Sequence, residues 1–268
     1  MPENNKKYIP HIVVEGLTMA YGDFLIQKDL TFSIKRRDVF IIMGSSGCGK
    51  STLLRHIVGL KAPAAGRVTI DGESLWEQDE AGQNKLMRKM GVMFQSGALW
   101  SSMTLTENIA LALGEYTELS PGDVEEMAAY KLALVGLKGF EQYYPSEISG
   151  GMQKRAGLAR AMALDPEMLF FDEPSSGLDP ISAKLLDDLI LELNHSLGIT
   201  IIIVTHELAS IFAVGTNSVL LDPETKTMLA HGKPAELFRH CPNPKVRAFL
   251  RRGRAESVDA TFNPQQGE

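Results

Sequence analysis

The sequence has 268 residues but only two cysteines, two tryptophans and 7% aromatic residues. It holds no unbroken apolar run of the ~18–20 residues that a membrane-spanning helix requires. Residues 1–8 are polar and lack the apolar centre of a secretory leader. A cytoplasmic location is therefore expected, and any service to a membrane must run through partner subunits. Cys48 and Cys241 lie far apart and match no metal-ligand spacing. They read as free thiols in a reducing compartment. A basic excess is missing too. The 27 Lys and Arg against 33 Asp and Glu leave a net charge of −6, with no whole-chain footprint for nucleic acid. Internal repeats and sustained heptads are also absent.

What is present is the composition of an ordinary globular protein, 44% hydrophobic and 22% charged, long enough to bury a substantial core. Short β-prone runs over 12–17, 30–34 and 39–43 are separated by turn-like clusters, and another covers 67–70. The run over 39–43 is apolar throughout, as a strand covered on both faces would be. A helix is expected from Lys50 to Val58. Helix formers dominate 107–137, broken at Ser120-Pro121-Gly122-Asp123, which predicts a helical subdomain inserted over about 96–165. Strand–helix alternation then returns: a helix after Gly150, a strand over 168–171, a helix over 181–197 and a strand over 199–204. Two weak strands over 218–221 and 227–230 precede a helical stretch over 233–238. Such alternation predicts an α/β fold with a mainly parallel core sheet and an N-terminal β portion. Residues 1–252 are expected to form one domain and 253–268 a polar tail.

Gly44-Ser45-Ser46-Gly47-Cys48-Gly49-Lys50-Ser51 fits the phosphate-binding P-loop and sits between a buried strand and a helix. Its glycines let successive N–H groups converge into an anion nest at a helix N-terminus. Lys50 would reach the β- and γ-phosphates of ATP and the Ser51 hydroxyl would ligate Mg²⁺. The plain alternative is a glycine-rich connector, and Cys48 reads as a small filler of the loop. About 120 residues on, the apolar run 168–171 ends in Asp172-Glu173. There Asp172 suits a Mg²⁺ shell and Glu173 an attacking water. A second apolar run, 199–204, delivers His206. On its own a histidine after a strand is more often a surface or capping residue.

Ile148-Ser149-Gly150-Gly151-Met152-Gln153 resembles the Leu-Ser-Gly-Gly-Gln signature of the ATP-binding cassette (ABC) ATPases, with Met152 departing from the pattern. The resemblance implies a P-loop NTPase fold of ABC type, covering about 12–231, and motifs in the family's order. By it, Tyr21 stacks on adenine and Thr52 follows Ser51 in the nucleotide site. Gln95 senses Mg²⁺ and connects to a transmembrane partner, Asp179 reaches across a dimer, and His206 is the switch histidine. Ser149, Gly150 and Gly151 would grip the γ-phosphate held by the opposite protomer, in a head-to-tail homodimer around two ATP. Read from the residues alone, Ser149 is an N-cap.

A narrower resemblance runs through 94–100, 103–109, 145–152 and 243–250, which are similar to ATPases of the Mla and other MCE-associated bacterial lipid transporters. It implies phospholipid as cargo, integral-membrane permease subunits, a periplasmic MCE-domain subunit and a small STAS-domain subunit. The chain would then work at the cytoplasmic face of the inner membrane. Leu99, Trp100, Met103 and Leu105 are a candidate docking patch beside Gln95, with packing inside the helical subdomain as the competing reading. Another ABC importer or exporter, or a soluble ABC ATPase of DNA repair or translation, are the alternative functions. The single cassette and acidic balance weigh against the soluble class, and Glu173 and His206 against a non-hydrolysing scaffold.

Overall fold

The computed structural model describes residues 10–95 and 97–251. Strands β1 (Ile12–Tyr21), β2 (Phe24–Ile34) and β3 (Val39–Gly44) lead into helix α1 (Lys50–Ile57), then β4 (Ala65–Ile70), β5 (Glu73–Ser74), α2 (Glu80–Met87) and β6 (Met90–Met93). Helices α3 (Leu105–Tyr116), α4 (Pro121–Leu134) and α5 (Gly150–Ala161) follow. The chain then alternates through β7 (Met168–Asp172), α6 (Pro180–Leu197), β8 (Thr200–Val204), α7 (Leu208–Val214), β9 (Asn217–Asp222), β10 (Thr227–His231), α8 (Pro234–His240) and α9 (Pro244–Arg251). The expected polar tail and the polar N-terminus lie outside the described residues, as does Ser96.

Two sheets result. One is antiparallel, in the order β2-β1-β4-β5; the other has six strands in the order β10-β9-β3-β8-β7-β6. In the second sheet β3, β6, β7, β8 and β9 run parallel, and β10 pairs antiparallel with β9 at the edge. This is the α/β cassette architecture that the motifs imply. α2 and β6 lie ahead of the expected helical subdomain, where no element is read from the sequence, and β6 supplies the other edge strand.

Alternation along the parallel strands explains how two cores form. Successive strand side chains point to opposite faces. Val39, Ile41 and Met43 of β3 join one core with Leu169, Phe171, Ile201 and Ile203 and the helices α3, α4 and α5. Phe40 and Ile42 join the other, with Phe170, Ile202 and the inner residues of β1, β2 and α1. A strand apolar on every residue is thus the sequence form of a layer sandwiched between two cores.

The helices begin on local chemistry. Thr104 and Glu107 close a reciprocal capping box on α3, with Thr104 N donating to Glu107 Oε2 at 2.7 Å and Glu107 N to Thr104 Oγ1 at 3.2 Å. Ser120 caps α4, where Pro121 occupies the first turn. Lys131, 1% exposed, ties α4 to Asp165 in the turn ahead of β7.

The proposed docking patch needs correction. Leu105 is 0% exposed, because it opens α3 facing the core and packs among Ile109, Leu113 and Met93. Leu99 is half-buried against the same core, and Trp100 is 53% exposed. Trp100 is therefore the outward member of the set, alongside a half-buried Met103.

Candidate nucleotide site

The carboxyl ends of β3, β7 and β8 meet at a cavity of about 810 Å³. β3 ends on Gly44, whose φ of 154° and close surroundings admit no side chain: a Cβ there would lie 2.8 Å from the Leu221 carbonyl oxygen and 2.5 Å from Cys48 Sγ. The loop then turns into α1 through Gly49, an N-cap with no side chain to cap with. The first-turn N–H groups therefore stay available to an anion, as the helix dipole favours. Buried Lys50 donates from Nζ to the carbonyls of Gly44 and Ser45, each at 3.1 Å, so its ammonium rests inside the loop it would serve.

The loop is held from behind. Gln27, fully buried on β2, donates from Nε2 to the Cys48 carbonyl at 2.7 Å and to the Asp222 carbonyl at 3.1 Å. Cys48 is itself 1% exposed, and burial pushes its thiol above the ordinary range against the pull of nearby Lys50. Its side chain fills the loop, and Cys48, unlike the loop residues on either side of it, does not line the cavity.

Across the cavity, Ser51 Oγ donates to Asp172 Oδ1 at 2.8 Å. Asp172 ends β7 with 8% exposure. Glu173 follows in the left-handed region at φ 51°, a backbone cost of roughly 1–3 kcal/mol for a residue with a side chain. The turn swings Glu173 toward His206, whose Nδ1 lies 2.9 Å from Glu173 Oε1. The other oxygen, Oε2, is buried with no hydrogen-bond partner among the described residues. An unsatisfied buried carboxylate oxygen is costly unless a ligand or water completes it. The oxygen donors Ser51, Asp172 and Gln95 suit a hard divalent cation such as Mg²⁺ with its water shell.

The residues singled out in the sequence divide into two groups. Tyr21, Gly44, Ser45, Ser46, Gly47, Gly49, Lys50, Ser51, Thr52, Gln95, Glu173 and His206 line the one cavity. Asp172 lies beneath it through Ser51. Tyr21 is 48% exposed, with Lys61 Nζ 3.1 Å over its ring. Gln95 is 3.5 Å from Ser176 Oγ. Ser149, Gly150, Gly151 and Asp179 line no part of this cavity. Ser149 caps α5, accepting from Met152 N at 3.3 Å, and a Cβ on Gly150 would meet Leu178 at 3.9 Å and one on Gly151 would meet Ser182 at 3.5 Å, both ordinary contacts. Asp179 caps α6, accepting from the N–H groups of Ile181 and Ser182 at 3.0 Å each. The Ser182 hydroxyl and these backbone donors hold its carboxyl below the ordinary range.

Sequence reasoning missed four apolar members of the wall: Phe24, Ile26, Leu208 and Phe249. Phe249 comes from α9, anchored by fully buried Val246 and Leu250. The regular apolar spacing of 246 and 250 marks that helix, but no local signal points 249 at the phosphate loop.

A strand–loop–helix phosphate nest facing a carboxylate pair and a histidine defines a P-loop nucleotide-binding cassette. The chain belongs to the ABC transporter family, whose sequence model matches residues 27–176. It is 41% identical over 239 residues to Mkl of Mycobacterium tuberculosis, named a probable ribonucleotide transport ATP-binding protein, covering 89% of this chain and 66% of that one. It thus spans just under two thirds of that relative. It is 39% identical over 237 residues to MlaF of Escherichia coli, the ATP-binding protein of an intermembrane phospholipid transport system, covering 88% of this chain and 87% of that one. Among solved structures, an ATP-binding cassette captured as a dimer in a post-hydrolysis state with ADP and Pi aligns with a TM-score of 0.74. The two are 29% identical, with 83% of this chain and 98% of that one covered.

Proposed function

We propose that this chain is the ATP-hydrolysing subunit of a bacterial ABC transporter that moves phospholipid between membranes. The observation that carries the reading is the split in the site: phosphate loop, Glu173, His206 and Gln95 share one cavity, while Ser149, Gly150 and Gly151 lie outside it. Two chains arranged head-to-tail would bring each signature helix N-terminus to the other's phosphate loop, and the solved relative's being a dimer supports pairing of two chains. ATP then closes the pair because its γ-phosphate bridges both protomers, and hydrolysis removes the bridge.

In this reading Tyr21 stacks on the adenine while the Gly44–Thr52 loop encloses the phosphates. Lys50 leaves the Gly44 and Ser45 carbonyls for the β- and γ-phosphates. Glu173 orients the water that attacks the γ-phosphorus as the bridging P–O bond to ADP breaks, and His206 holds Glu173 in position. Asp179 reaches toward the partner protomer. Ser51, Asp172 and Gln95 would hold Mg²⁺, which neutralises charge on the β- and γ-oxygens when bound.

Among the described residues no helix is long and apolar enough to cross a membrane, so translocation falls to integral-membrane permease subunits. The likeness to MlaF supports phospholipid as cargo, with an MCE-domain subunit and a STAS-domain subunit completing a complex on the cytoplasmic face of the inner membrane. Trp100 supports permease docking as an exposed aromatic on a fixed loop. Asn108, 0% exposed, donates from Nδ2 to the carbonyls of Trp100, Met103 and Thr104 and accepts from Trp100 N at 2.7 Å. A second reading keeps the mechanism and changes the cargo, since Mkl is named for ribonucleotide transport.

The test is affinity purification of the tagged chain from detergent-solubilised membranes, with partners and lipid identified by mass spectrometry. Permease, MCE-domain subunit and phospholipid together are expected. A different permease without lipid would favour the second reading, and no membrane partner would overturn both. Trp100→Ala should lose the permease from the same eluate while leaving the chain folded.

A further inference from the structure

Helix α5 starts at the signature serine and runs beside the segment that carries Gln95. Its polar side chains mostly do not pair with carboxylates; they reach loop carbonyls. Gln153 donates to Pro145 O at 2.8 Å, and Arg155 to Val135 O at 3.3 Å. Lys154 Nζ donates to the carbonyl of Gln95 itself, and Arg160 Nη1 to the carbonyl of Ala98.

The same face of α5 approaches the loop backbone without side chains between. Gly157 lies one turn from both cations, and a Cβ there would sit 3.0 Å from the Gly97 carbonyl oxygen and 3.2 Å from Gly97 Cα. Glycine inside a helix costs up to about 1 kcal/mol relative to alanine, so close approach is what the position gains. Gly97, at φ 73°, in turn faces the Gln153 carbonyl.

Both cations are partly withdrawn from water, and burial lowers the pKa of each. Among the described residues neither forms an ion pair with a carboxylate. A half-desolvated cation whose partner is a single loop carbonyl makes a charge-assisted bond that is strong and directional. Losing it would leave both groups poorly solvated.

We propose that Lys154 and Arg160 are positioning residues for Gln95: they clamp the loop on both sides, at 95 and at 98, and fix its backbone to the helix whose N-terminus is the signature. The clamp makes any displacement of the Ser149 end of α5 a displacement of Gln95, within one chain. The inference rests on the proposed nucleotide site for its catalytic consequence, but the clamp itself is tested without turnover.

The experiment uses the full chain and compares Lys154→Met, Arg160→Met and the conservative Lys154→Arg with wild type. Hydrogen exchange of the 97–99 amides is measured without nucleotide, and kcat and KM are measured for ATP. Loss of one charge-assisted bond should speed exchange there by about tenfold or more. kcat should fall by about tenfold with KM nearly unchanged, and Lys154→Arg should restore both. Thermal midpoints serve as the folding control. Exchange at wild-type rates in both methionine variants overturns the clamp, as does a Lys154→Arg variant as loose as Lys154→Met. Faster exchange with unchanged kcat overturns the positioning role while the clamp stands. Absence of ATP turnover in wild type would instead reject the nucleotide reading, with the exchange result still deciding the clamp.

Discussion

Strands β7 and β8 set a histidine against a glutamate at each end, and the two ends are built in opposite ways. At the amino ends, His11 Nε2 lies 3.6 Å from Glu167 Oε2 and 4.0 Å from Asp71 Oδ1. There Arg36 and Lys89 each contact both carboxylates, at distances from 2.5 to 3.4 Å. Two acids and two bases cancel in charge. The Thr200 hydroxyl accepts from Arg37 N at 2.9 Å and sits 2.7 Å from His11 Nδ1, which turns Nε2 toward the acids. At the carboxyl ends, His206 meets Glu173 with, among the described residues, no lysine or arginine on the carboxylate and no partner for its one buried oxygen, on a left-handed backbone. The first cluster joins β1, the β4–β5 turn and both core strands into one fastening. The second leaves its groups incompletely satisfied where a ligand can complete them. Charge pairing at the amino ends of the strands thus stabilises the fold, and its absence at the carboxyl ends keeps a site receptive.

The sharpest test of that contrast is at the receptive end. Glu173→Gln should reduce ATP turnover by about 100-fold or more while retaining nucleotide and trapping the dimer, read by steady-state hydrolysis and size-exclusion chromatography with ATP. Lys50→Ala should weaken nucleotide affinity by about ten- to a hundredfold in a fluorescence titration. Neither should move the urea midpoint downward by much. At the fastened end the pattern should invert. Asp71→Asn should cost about 1–2 kcal/mol in urea unfolding, allowing for solvent screening, and leave kcat within about twofold. Turnover falling as far as stability would erase the distinction between the two ends.

The smallest expected effect is in pH. Burial, with Arg36 and Lys89 helping, holds the His11 pKa below its ordinary value near 6.5, against the pull of Asp71 and Glu167. The unfolded chain therefore binds more protons in that window, and stability falls as pH drops from 7.5 through 6.5 toward the folded value. Burial raises the carboxyls of Asp71 and Glu167, but the Lys89 and Arg36 contacts outweigh it and hold both below their usual range. Their share is present at neutral pH and lost on further acidification, below about pH 4. His56 and His231, also lowered by burial, act in the same direction as His11. The difference between wild type and His11→Asn in urea midpoints at pH 7.5 and 5.5 isolates the His11 share, and the variant should show the shallower slope.

The chemistry-bearing loops were legible because each is a short local pattern: glycines at fixed offsets, then acids or a histidine at the end of an apolar strand. The strands β3, β7 and β8 were legible because burial on both faces leaves them apolar throughout. β6 was not, since four residues including Gly91 offer too little alternation to read. The fastening was invisible for a different reason. His11, Arg36, Asp71, Lys89 and Glu167 are scattered along the chain and meet only when the two sheets pack. Leu105 shows the limit of reading a patch from composition: whether an apolar residue beside a loop faces in or out is settled by where α3 begins. Phe249 lies at the cavity wall because β9 and α9 carry it there, a long-range placement with no local mark.

Asn108 has one more consequence. By sharing its amide protons among the carbonyls of Trp100, Met103 and Thr104, it orders that loop when the chain folds rather than when a partner arrives. The conformational freedom of the loop is then already spent, so the proposed docking at Trp100 would lose little further entropy. An interface of modest area could then be long-lived, and replacing an asparagine that touches no partner would shorten its lifetime from a distance.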